Sequence, residues 1–319
     1  MTWLEMSRNP ENRPFGWKVG ECLWSPQRNA EGNRSGFWET MTRVQPGDIV
    51  FHLCGKPPKA LFTGFSTASS SCISLANGPN GNVPLYRVNL AEFQQFETPV
   101  SLSELFKTHG AELRANFAEN NKEKTEKERL FYVIQGGRLR CQNGAYLSEL
   151  GDKLLELIFG LVVTNTVNKT VVVAHSAATG TALAEAARRL GHHEFARNVK
   201  RNFYHKCAFP GCCVDDPRFL IGAHIARWAD HPELRGQTSN GLCLCLHHDK
   251  AFEIGSFTLD HMHRVVPRLG TQSPWIATLL QAHDGTLRDC QIRPSLDALA
   301  HHWAAHGFDT CLEAATEPG

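Results

Sequence analysis

The sequence predicts an α+β protein of two domains, a β-rich N-terminal domain and a C-terminal domain that combines helices with a β-hairpin. Strand-like apolar segments separated by turn signals fill residues 1–150. Helical spacing of apolar residues dominates the later part, where a segment rich in cysteine and histidine interrupts it. A length of 319 residues suits two domains. We expect a first domain at residues 1–150, a linker region with a helix at 151–190 and a second domain at 191–319.

The N-terminal elements are strands followed by helices. Residues 47–53 (GDIVFHL) and 84–90 (PLYRVNL) are predicted strands, because their apolar residues alternate or run together between turn signals. A helical pattern follows, with Ser101 or Ser103 as its cap. Strand patterns return after residue 130, on either side of a Gly-Gly turn.

The later elements are mainly helical. Residues 152–163 have helical spacing, and the β-branched, polar segment after them suits either a strand or a linker. A helix is predicted from residue 182 to about 206, with Gly191 as a stop or a kink. Residues 257–267 predict a strand with a turn. One helix is predicted to begin at Ser273, and a second helix is predicted to end at Gly307.

Overall charge gives no indication of a nucleic-acid partner, because the net charge is only +1. The stretch from residue 188 to 206 is different, since six cations against Glu194 leave it at +5. Such a stretch suits either contact with DNA phosphates or an ordinary solvated helix face. The predicted phosphate contacts are Arg188, Arg189, Arg197, Lys200 and Arg201.

The compartment is predicted to be the cytoplasm, most simply of a bacterium. No signal pattern opens the chain, and no apolar run is long enough to cross a membrane. The eleven cysteines are therefore expected to be free, buried or metal-bound rather than paired in disulfides.

Residues 203–259 carry the most specific pattern. His224 lies in AHI, Asn240 begins NGLCLCL sixteen residues later, and His248 and Asp249 lie in HHDKAFEIG. In order, spacing and apolar neighbours, this segment resembles the HNH endonucleases, which have a ββα-metal fold. Alone, each residue has a simpler explanation, such as an interior histidine or an Asn-Gly turn.

The resemblance implies roles for these side chains in phosphodiester hydrolysis. His224 would be the general base, and Asn240 would brace the hairpin that aims it. His248 and Asp249 would hold one divalent cation, Mg²⁺, Mn²⁺ or similar, and both alignments of the ligand stay open. Ala223 stands where many relatives have a metal ligand. This leaves the cation's identity open and keeps a non-catalytic nucleic-acid reader as an alternative.

The cysteines near this motif allow a second metal. Cys207, Cys212, Cys243 and Cys245 could hold a structural zinc ion, but neither pair has the Cys-x-x-Cys spacing of zinc knuckles. The favoured prediction is that one cysteine of each pair packs in the core of the hairpin.

Residues 15–100 resemble the PUA-like barrels of the EVE type, through the tryptophan-bearing LWSP, the segment FWETMTRV and the strand QPGDIVFHL. Such barrels hold a flipped, modified base between aromatic side chains. The resemblance implies a base pocket, although a place in the barrel core is the simpler explanation for any one aromatic residue. The candidate pocket residues are Trp17, Trp24, Ser25, Phe37 and Trp38.

A base reader joined to a nuclease predicts a modification-dependent restriction endonuclease. Its partner would be double-stranded DNA carrying 5-methylcytosine or 5-hydroxymethylcytosine, and a homodimer would allow both strands to be cut. The alternative is an HNH nuclease of another role, such as a toxin or a homing or repair enzyme. No membrane partner is expected.

Overall fold

The computed structural model divides the chain into two units. Unit 1 comprises residues 1–163 and 172–190, and unit 2 comprises residues 164–171 and 191–319. The structure describes residues 1–29, 31–79, 81, 83–123, 127–174, 180–268, 270, 273–281, 285–308 and 311.

Unit 1 is built on a curled half-barrel sheet of seven strands. Nine strands fall in this part of the chain: β1 (Thr2–Ser7), β2 (Cys22–Pro26), β3 (Ile49–Cys54), β4 (Leu61–Ala68), β5 (Ile73–Leu75), β6 (Leu85–Ser101), β7 (Tyr132–Gln135), β8 (Arg138–Cys141) and β9 (Leu147–Glu149). The sheet order is β2-β6-β4-β3-β1-β9, β5 also pairs with β6, and β7 and β8 form a separate hairpin. Only β1 and β3 run parallel among the reported pairs of this sheet.

Four helices accompany the sheet: α1 (Gly36–Glu39), α2 (Leu102–Thr108), α3 (Gly110–Lys122) and α4 (Asp152–Phe159). Ser101 caps α2, as its side chain accepts a hydrogen bond from the Glu104 amide. One face of the sheet packs with α2 and α4 into a core rich in phenylalanine, including Phe51, Phe62 and Phe159. The other face buries Trp3, Leu23 and Val50 in a smaller core. Because successive side chains of β1 and β3 point to opposite faces of the sheet, both strands contribute residues to both cores.

The unit boundary falls within three elements: β10 (Leu161–Asn165), β11 (Thr170–Ala174) and α5 (Thr181–Asn202). Residues 164–174 of the segment predicted to be a strand or a linker belong to the β10–β11 hairpin, and residues 175–179 lie outside the described residues. Helix α5 runs through Gly191 without a break, so the helix does not stop at this residue. Gly191 is buried, and a single glycine within a long helix costs only about 1 kcal/mol relative to alanine.

Unit 2 contains two short hairpins and three further helices. Its elements are β12 (Leu220–His224), β13 (Gly241–Cys245), α6 (Leu246–Glu253), β14 (Phe257–Leu259), β15 (Val265–Pro267), α7 (Pro274–Leu279) and α8 (Leu296–His306). Ser273 and Ser295 cap α7 and α8, and Gly307 ends α8 in the left-handed conformation. The core centres on Phe203, Phe257 and Trp303, each at most 1% exposed.

The predicted α+β class is confirmed. Short 3₁₀ helices lie at Pro10–Asn12, Thr40–Arg43, Pro217–Phe219, Pro232–Leu234 and Thr238–Asn240. Within the described residues, no helix combines the length and the apolar character needed to cross a membrane.

Candidate functional site

A ββα unit positions the predicted nuclease residues. β12 and β13 pair antiparallel, with His224 opposite Gly241 and Leu220 opposite Cys245, and α6 follows β13 directly. The hairpin lies tightly against α5, because a Cβ atom on Gly222 would come within 2.6 Å of the Ala196 backbone. A Cβ atom on Gly241 would likewise meet Val199 at 2.3 Å. Glycine at both positions is therefore a packing requirement.

His224 ends β12 in an aromatic environment. Its ring stacks on Phe195, with ring centroids 3.9 Å apart, and lies 5.3 Å from the rings of both His192 and Trp228. Burial lowers the pKa of His224 to about 3, and the neighbouring His192 adds to this effect. Among the described residues, the buried Nε2 atom of His224 has no hydrogen-bond partner. The residue is therefore a neutral imidazole near pH 7, and its Nε2 atom is enclosed without a hydrogen-bond partner among the described residues.

Asn240 holds the loop that follows His224. Its Oδ1 accepts a hydrogen bond from the Ala226 amide at 2.8 Å. Its Nδ2 donates to the carbonyls of Ala226 and Leu234, at 3.2 and 3.4 Å. The Ile225 amide also donates to the Asn240 carbonyl, at 3.0 Å. Because Asn240 is 1% exposed, these bonds are shielded from water and fix the backbone just beyond the histidine.

The two predicted metal ligands, His248 and Asp249, have different surroundings in the first turn of α6. Asp249 is half-buried, and burial raises the pKa of its carboxyl group. His248 is 4% exposed, and both of its ring nitrogens are engaged. Its Nδ1 lies 3.1 Å from Cys245 Sγ, and its Nε2 lies 3.2 Å from the Leu279 carbonyl oxygen. The two candidate ligands therefore differ in their surroundings, since the ring nitrogens of His248 contact other groups and the Asp249 carboxyl group is half-buried.

The cysteines group differently from the four-cysteine set considered above. The ligand atoms of Cys207, Cys212, Cys245 and His248 all lie within 4.8 Å of one another. Cys243 stands outside this group and is fully buried in the hydrophobic core, where burial raises its thiol pKa to about 12. His248 takes the fourth place because Cys245 caps α6, so that the residue three positions later returns over the same end of the helix.

A second metal-capable group lies on the surface of unit 2. The ligand atoms of His231, Glu233 and His301 lie within 4.8 Å of one another. The rings of His231 and His301 are 3.6 Å apart, and His231 Nδ1 is 3.3 Å from a Glu233 carboxylate oxygen. Glu233 is exposed, which distinguishes this group from the buried cysteine–histidine cluster.

Three of the five predicted phosphate-binding residues already face carboxylates. Arg188 pairs with Glu185 at 2.7 Å, and Arg189 pairs with Glu185 and Glu92 at 2.6 Å. Arg197 forms an ion pair with the buried Glu194. These pairs neutralise much of the positive charge that the sequence suggests.

The other two predicted phosphate contacts, Lys200 and Arg201, differ in their exposure to solvent. Lys200 is half-buried, and burial lowers its pKa. Arg201 is exposed and lines a cavity of about 460 Å³ in unit 2, together with Asn198, Asn202 and Gln291. The amides of Asn198 and Asn202 already donate hydrogen bonds inside unit 2, so the Arg201 guanidinium is the charged group of this cavity.

The structure brings together only part of the predicted base pocket. The rings of Trp17 and Trp24 meet edge to face at 5.7 Å, and the Arg87 guanidinium lies 4.2 Å from the centre of the Trp17 ring. Both tryptophans are half-buried. This edge-to-face pair joins Trp24, which lies in β2, to Trp17, which precedes the strand.

Phe37 and Trp38 make no ring contact with that pair among the described residues, and Ser25 points to the other face of β2. Ser25 is 2% exposed, and its hydroxyl lies 3.1 Å from Met41 Sδ in the interior. Neighbouring residues of a strand point to opposite faces, so Ser25 and Trp24 diverge. Phe37 lies under the Arg129 guanidinium at 5.9 Å, and Trp38 is half-buried in α1.

A buried polar network beneath Trp24 was not predicted from the sequence. Glu5 accepts hydrogen bonds from Arg13 at 2.5 Å and from the Tyr146 hydroxyl at 2.8 Å. Its other oxygen lies 2.7 Å from His52 Nδ1, and His52 Nε2 lies 2.8 Å from Ser66 Oγ. The Tyr146 oxygen accepts a hydrogen bond from the Trp24 amide at 2.8 Å. The network thus links β1, β3 and β4 to the strand that carries the tryptophan.

This network is charged although it is enclosed. Glu5, His52 and Ser66 are each 0% exposed. Burial opposes ionisation of Glu5, but the Arg13 guanidinium and the hydrogen bond with His52 outweigh it and lower its pKa to about 2. Ser66, His52 and Glu5 have the hydrogen-bond order of a hydrolytic triad, but full burial keeps a substrate from the serine. The available signal was a glutamate and a histidine inside apolar strands.

Comparison with known proteins identifies part of unit 2. Residues 207–260 match the sequence model of the HNH endonuclease family. The chain therefore contains an HNH endonuclease domain, and the match spans β12, β13 and α6. No curated protein sequence matches the chain.

Several solved structures are similar at low sequence identity. The modification-dependent TagI restriction endonuclease aligns with a TM-score of 0.41 and 14% identity, over 95% of this chain and 80% of its own. Human THYN1 protein in complex with 5-methylcytosine-containing DNA aligns with a TM-score of 0.30 and 13% identity, over 49% and 93%. The N-terminal domain of Staphylothermus marinus McrB aligns with a TM-score of 0.28 and 12% identity, over 50% and 93%.

Proposed function

Given an HNH endonuclease domain at residues 207–260, we propose that the protein is a modification-dependent DNA endonuclease. Unit 2 cuts the phosphodiester, and unit 1 reads a flipped, modified cytosine, 5-methyl or 5-hydroxymethyl. The observation that carries the nuclease assignment is His224, a neutral histidine with an unpartnered nitrogen at the end of the first strand of the motif. The reading role depends on the paired tryptophans of unit 1.

His224 is the general base of the proposed reaction. Its imidazole takes a proton from a water molecule, whose oxygen attacks phosphorus while the bond to the 3′ oxygen breaks. Stacking on Phe195 fixes the plane of the ring, and Asn240 fixes the backbone just beyond it. A base held in one orientation needs no reorganisation before attack.

Asp249 is the ligand that we assign to the catalytic cation. Its carboxylate suits Mg²⁺ or Mn²⁺, which prefer oxygen ligands. A bound cation would supply Lewis-acid stabilisation of the phosphate and of the leaving oxygen. Ala223 offers no second ligand from β12, so DNA phosphate oxygens and water would complete the coordination.

Trp17 and Trp24 form the proposed wall for the extruded base. Their flat apolar surfaces suit stacking, which is worth about 1–3 kcal/mol per base. The buried network fixes this wall, because Tyr146 binds the Trp24 amide and Arg13 donates to the Trp17 carbonyl at 2.6 Å. Ser25 is not part of the wall, since its hydroxyl is buried against Met41.

Arg201 is the proposed phosphate contact of the basic segment. It is exposed and lies beside the amide-lined cavity, while Arg188, Arg189 and Arg197 are held by glutamates. Arginine forms forked hydrogen bonds with phosphate. Such contacts position DNA without reading its sequence.

The nuclease assignment is tested by nicking of supercoiled plasmid DNA that carries 5-methylcytosine or 5-hydroxymethylcytosine, with Mg²⁺, with Mn²⁺ and with EDTA. We expect nicked or linear DNA with at least one cation and none with EDTA. Metal-independent cutting would contradict the proposed chemistry. DNA binding without cutting under any condition would instead support a reader built on an HNH scaffold.

A further inference from the structure

We propose that Cys207, Cys212, Cys245 and His248 bind a structural zinc ion, separate from the catalytic cation of the nuclease site. The ligand atoms of all four lie within 4.8 Å of one another, and three of the residues are buried. Three thiolates and one imidazole are a closed ligand set for zinc, which is tetrahedral in structural sites. Mg²⁺ and Ca²⁺ prefer oxygen ligands and do not fit this set.

The two ligand pairs come from different parts of unit 2. Cys207 and Cys212 flank a turn in which the Cys212 amide donates to the Phe209 carbonyl at 3.2 Å and Gly211 has a φ of +73°. Cys245 and His248 lie at the junction of β13 and α6. The spacings are Cys-x₄-Cys and Cys-x₂-His, so a short-range motif search for two Cys-x-x-Cys pairs would miss the site.

Neighbouring groups orient the ligands as an outer shell does at a metal site. The Cys245 amide donates to Cys207 Sγ at 3.3 Å. His248 Nε2 lies 3.2 Å from the Leu279 carbonyl oxygen, which places the proton there and directs Nδ1 at the cysteines. The Phe209 ring stacks on the imidazole at 3.9 Å.

The Arg288 side chain holds the turn between Cys207 and Cys212. Arg288 donates to the Cys207 carbonyl at 2.9 Å and to the Cys212 carbonyl at 2.6 Å. The backbone on both sides of the first ligand pair is therefore held by one side chain.

The proposed ion would tie the turn at residues 207–212 to the start of α6. Because Asp249 follows His248, the ion would fix the helix turn that carries the proposed catalytic ligand. The inference depends only on the cluster and holds whether or not the protein cuts DNA.

The test is the zinc content of the full-length chain, purified without a histidine tag and dialysed free of loose metal. We expect about one zinc ion per chain by elemental analysis, in line with a closed four-ligand site. Cys212→Ser and His248→Ala should each lose most of it. Cys243→Ser and His301→Ala should retain it, because Cys243 lies outside the cluster and His301 belongs to the surface group.

A spectroscopic measurement covers variants that fail to fold. Wild-type protein exchanged with Co²⁺ should show the visible absorption of tetrahedral cobalt and the near-ultraviolet absorption of cobalt–thiolate bonds. Protein that lacks zinc and shows no such absorption would overturn the proposal. So would iron in place of zinc, or equal loss of zinc from Cys243→Ser and Cys212→Ser. Since no DNA is present, the outcome is independent of whether the nuclease assignment holds.

Discussion

At the residue scale, His224 illustrates how burial prepares a base. Its pKa is lowered to about 3 because burial, with a smaller effect of His192, disfavours the charged form, so the imidazole is neutral in ordinary buffers. An ordinary histidine with a pKa near 6.5 would be partly protonated just below pH 7. The residue could be selected from the sequence because the HNH pattern is local, but its stacking on Phe195 depends on α5 and could not.

His224→Ala should abolish most cleavage, because the attacking water loses its general base. We expect a rate lower by about 10²–10⁴-fold. The measurement is the rate of plasmid nicking at saturating cation, together with DNA affinity, which should change little. His261→Ala is the matched control, since His261 is an exposed histidine of the same unit. A variant that lacks His224 and keeps the wild-type rate would remove this residue from the mechanism.

Glu5→Gln should destabilise unit 1 by about 3–5 kcal/mol, because it leaves Arg13 buried without its charged partner. The control is Glu149→Gln, whose partner Arg43 is solvent-accessible, so a loss of about 0–1 kcal/mol is expected. The measurement is urea unfolding followed by tryptophan fluorescence. Equal effects of the two substitutions would contradict a stabilising role for the buried network.

The Glu5 network also predicts a pH dependence. The pKa of Glu5 is lowered from its ordinary value of 4.5 to about 2 in the folded protein. Between these values the unfolded chain binds more protons, so the stability from Glu5 is complete above pH 4.5 and is lost as the pH falls toward 2. Glu5→Gln should lack this component, which comparison of the unfolding free energies at pH 3 and pH 7 would detect. Parallel pH curves for the two proteins would be inconsistent with the ionised, buried Glu5 described above.

At the element scale, the adjacent residues His248 and Asp249 of α6 have different proposed roles. His248 contacts Cys245 and the Leu279 carbonyl, whereas we propose Asp249 as the ligand of the catalytic cation. Sequence alignment could not choose between them, because both residue types bind metals and their positions differ by one. The choice requires the turn at residues 207–212, which lies far from α6 along the chain.

Asp249→Ala should therefore remove cleavage while the protein keeps its zinc. We expect a rate lower by at least about 10²-fold, as for loss of another central catalytic group. His248→Ala should instead lower zinc content and thermal stability. Plasmid nicking, elemental analysis and thermal unfolding of both variants separate the roles. If His248→Ala lost activity with zinc and stability intact, the assignments of the two residues would have to be exchanged.

Other elements show where sequence patterns suffice. The strand around residues 49–53 and the helix capped by Ser101 were predicted because their signals are local. The prediction that the helix stops at Gly191 was wrong. A glycine ends a helix only when the following chain turns away, and α5 continues with buried apolar residues on both sides of Gly191. The Glu5 network could not be predicted, because it joins residues of the four strands β1, β2, β3 and β4 with Arg13 and Tyr146, which lie outside those strands.

At the scale of the whole molecule, specificity and cleavage are assigned to different units. Trp24→Ala should weaken binding to modified DNA by about one to two orders of magnitude, since one stacking contact is worth about 1–3 kcal/mol. Non-specific binding should persist with its usual dependence on salt. The measurement is affinity for matched modified and unmodified duplexes at fixed salt. Trp38→Ala is the control, because Trp38 lies in α1, apart from the Trp17–Trp24 pair.

The central claim is that cleavage by unit 2 depends on a modified cytosine read by unit 1. The most direct measurement is digestion of matched phage DNAs that carry cytosine, 5-methylcytosine or 5-hydroxymethylcytosine, with Mg²⁺ or Mn²⁺ and with EDTA as control. The account predicts cation-dependent fragments from at least one modified DNA and little or none from the unmodified one. Equal cutting of all three DNAs would leave an HNH nuclease without the proposed reader and would contradict the claim.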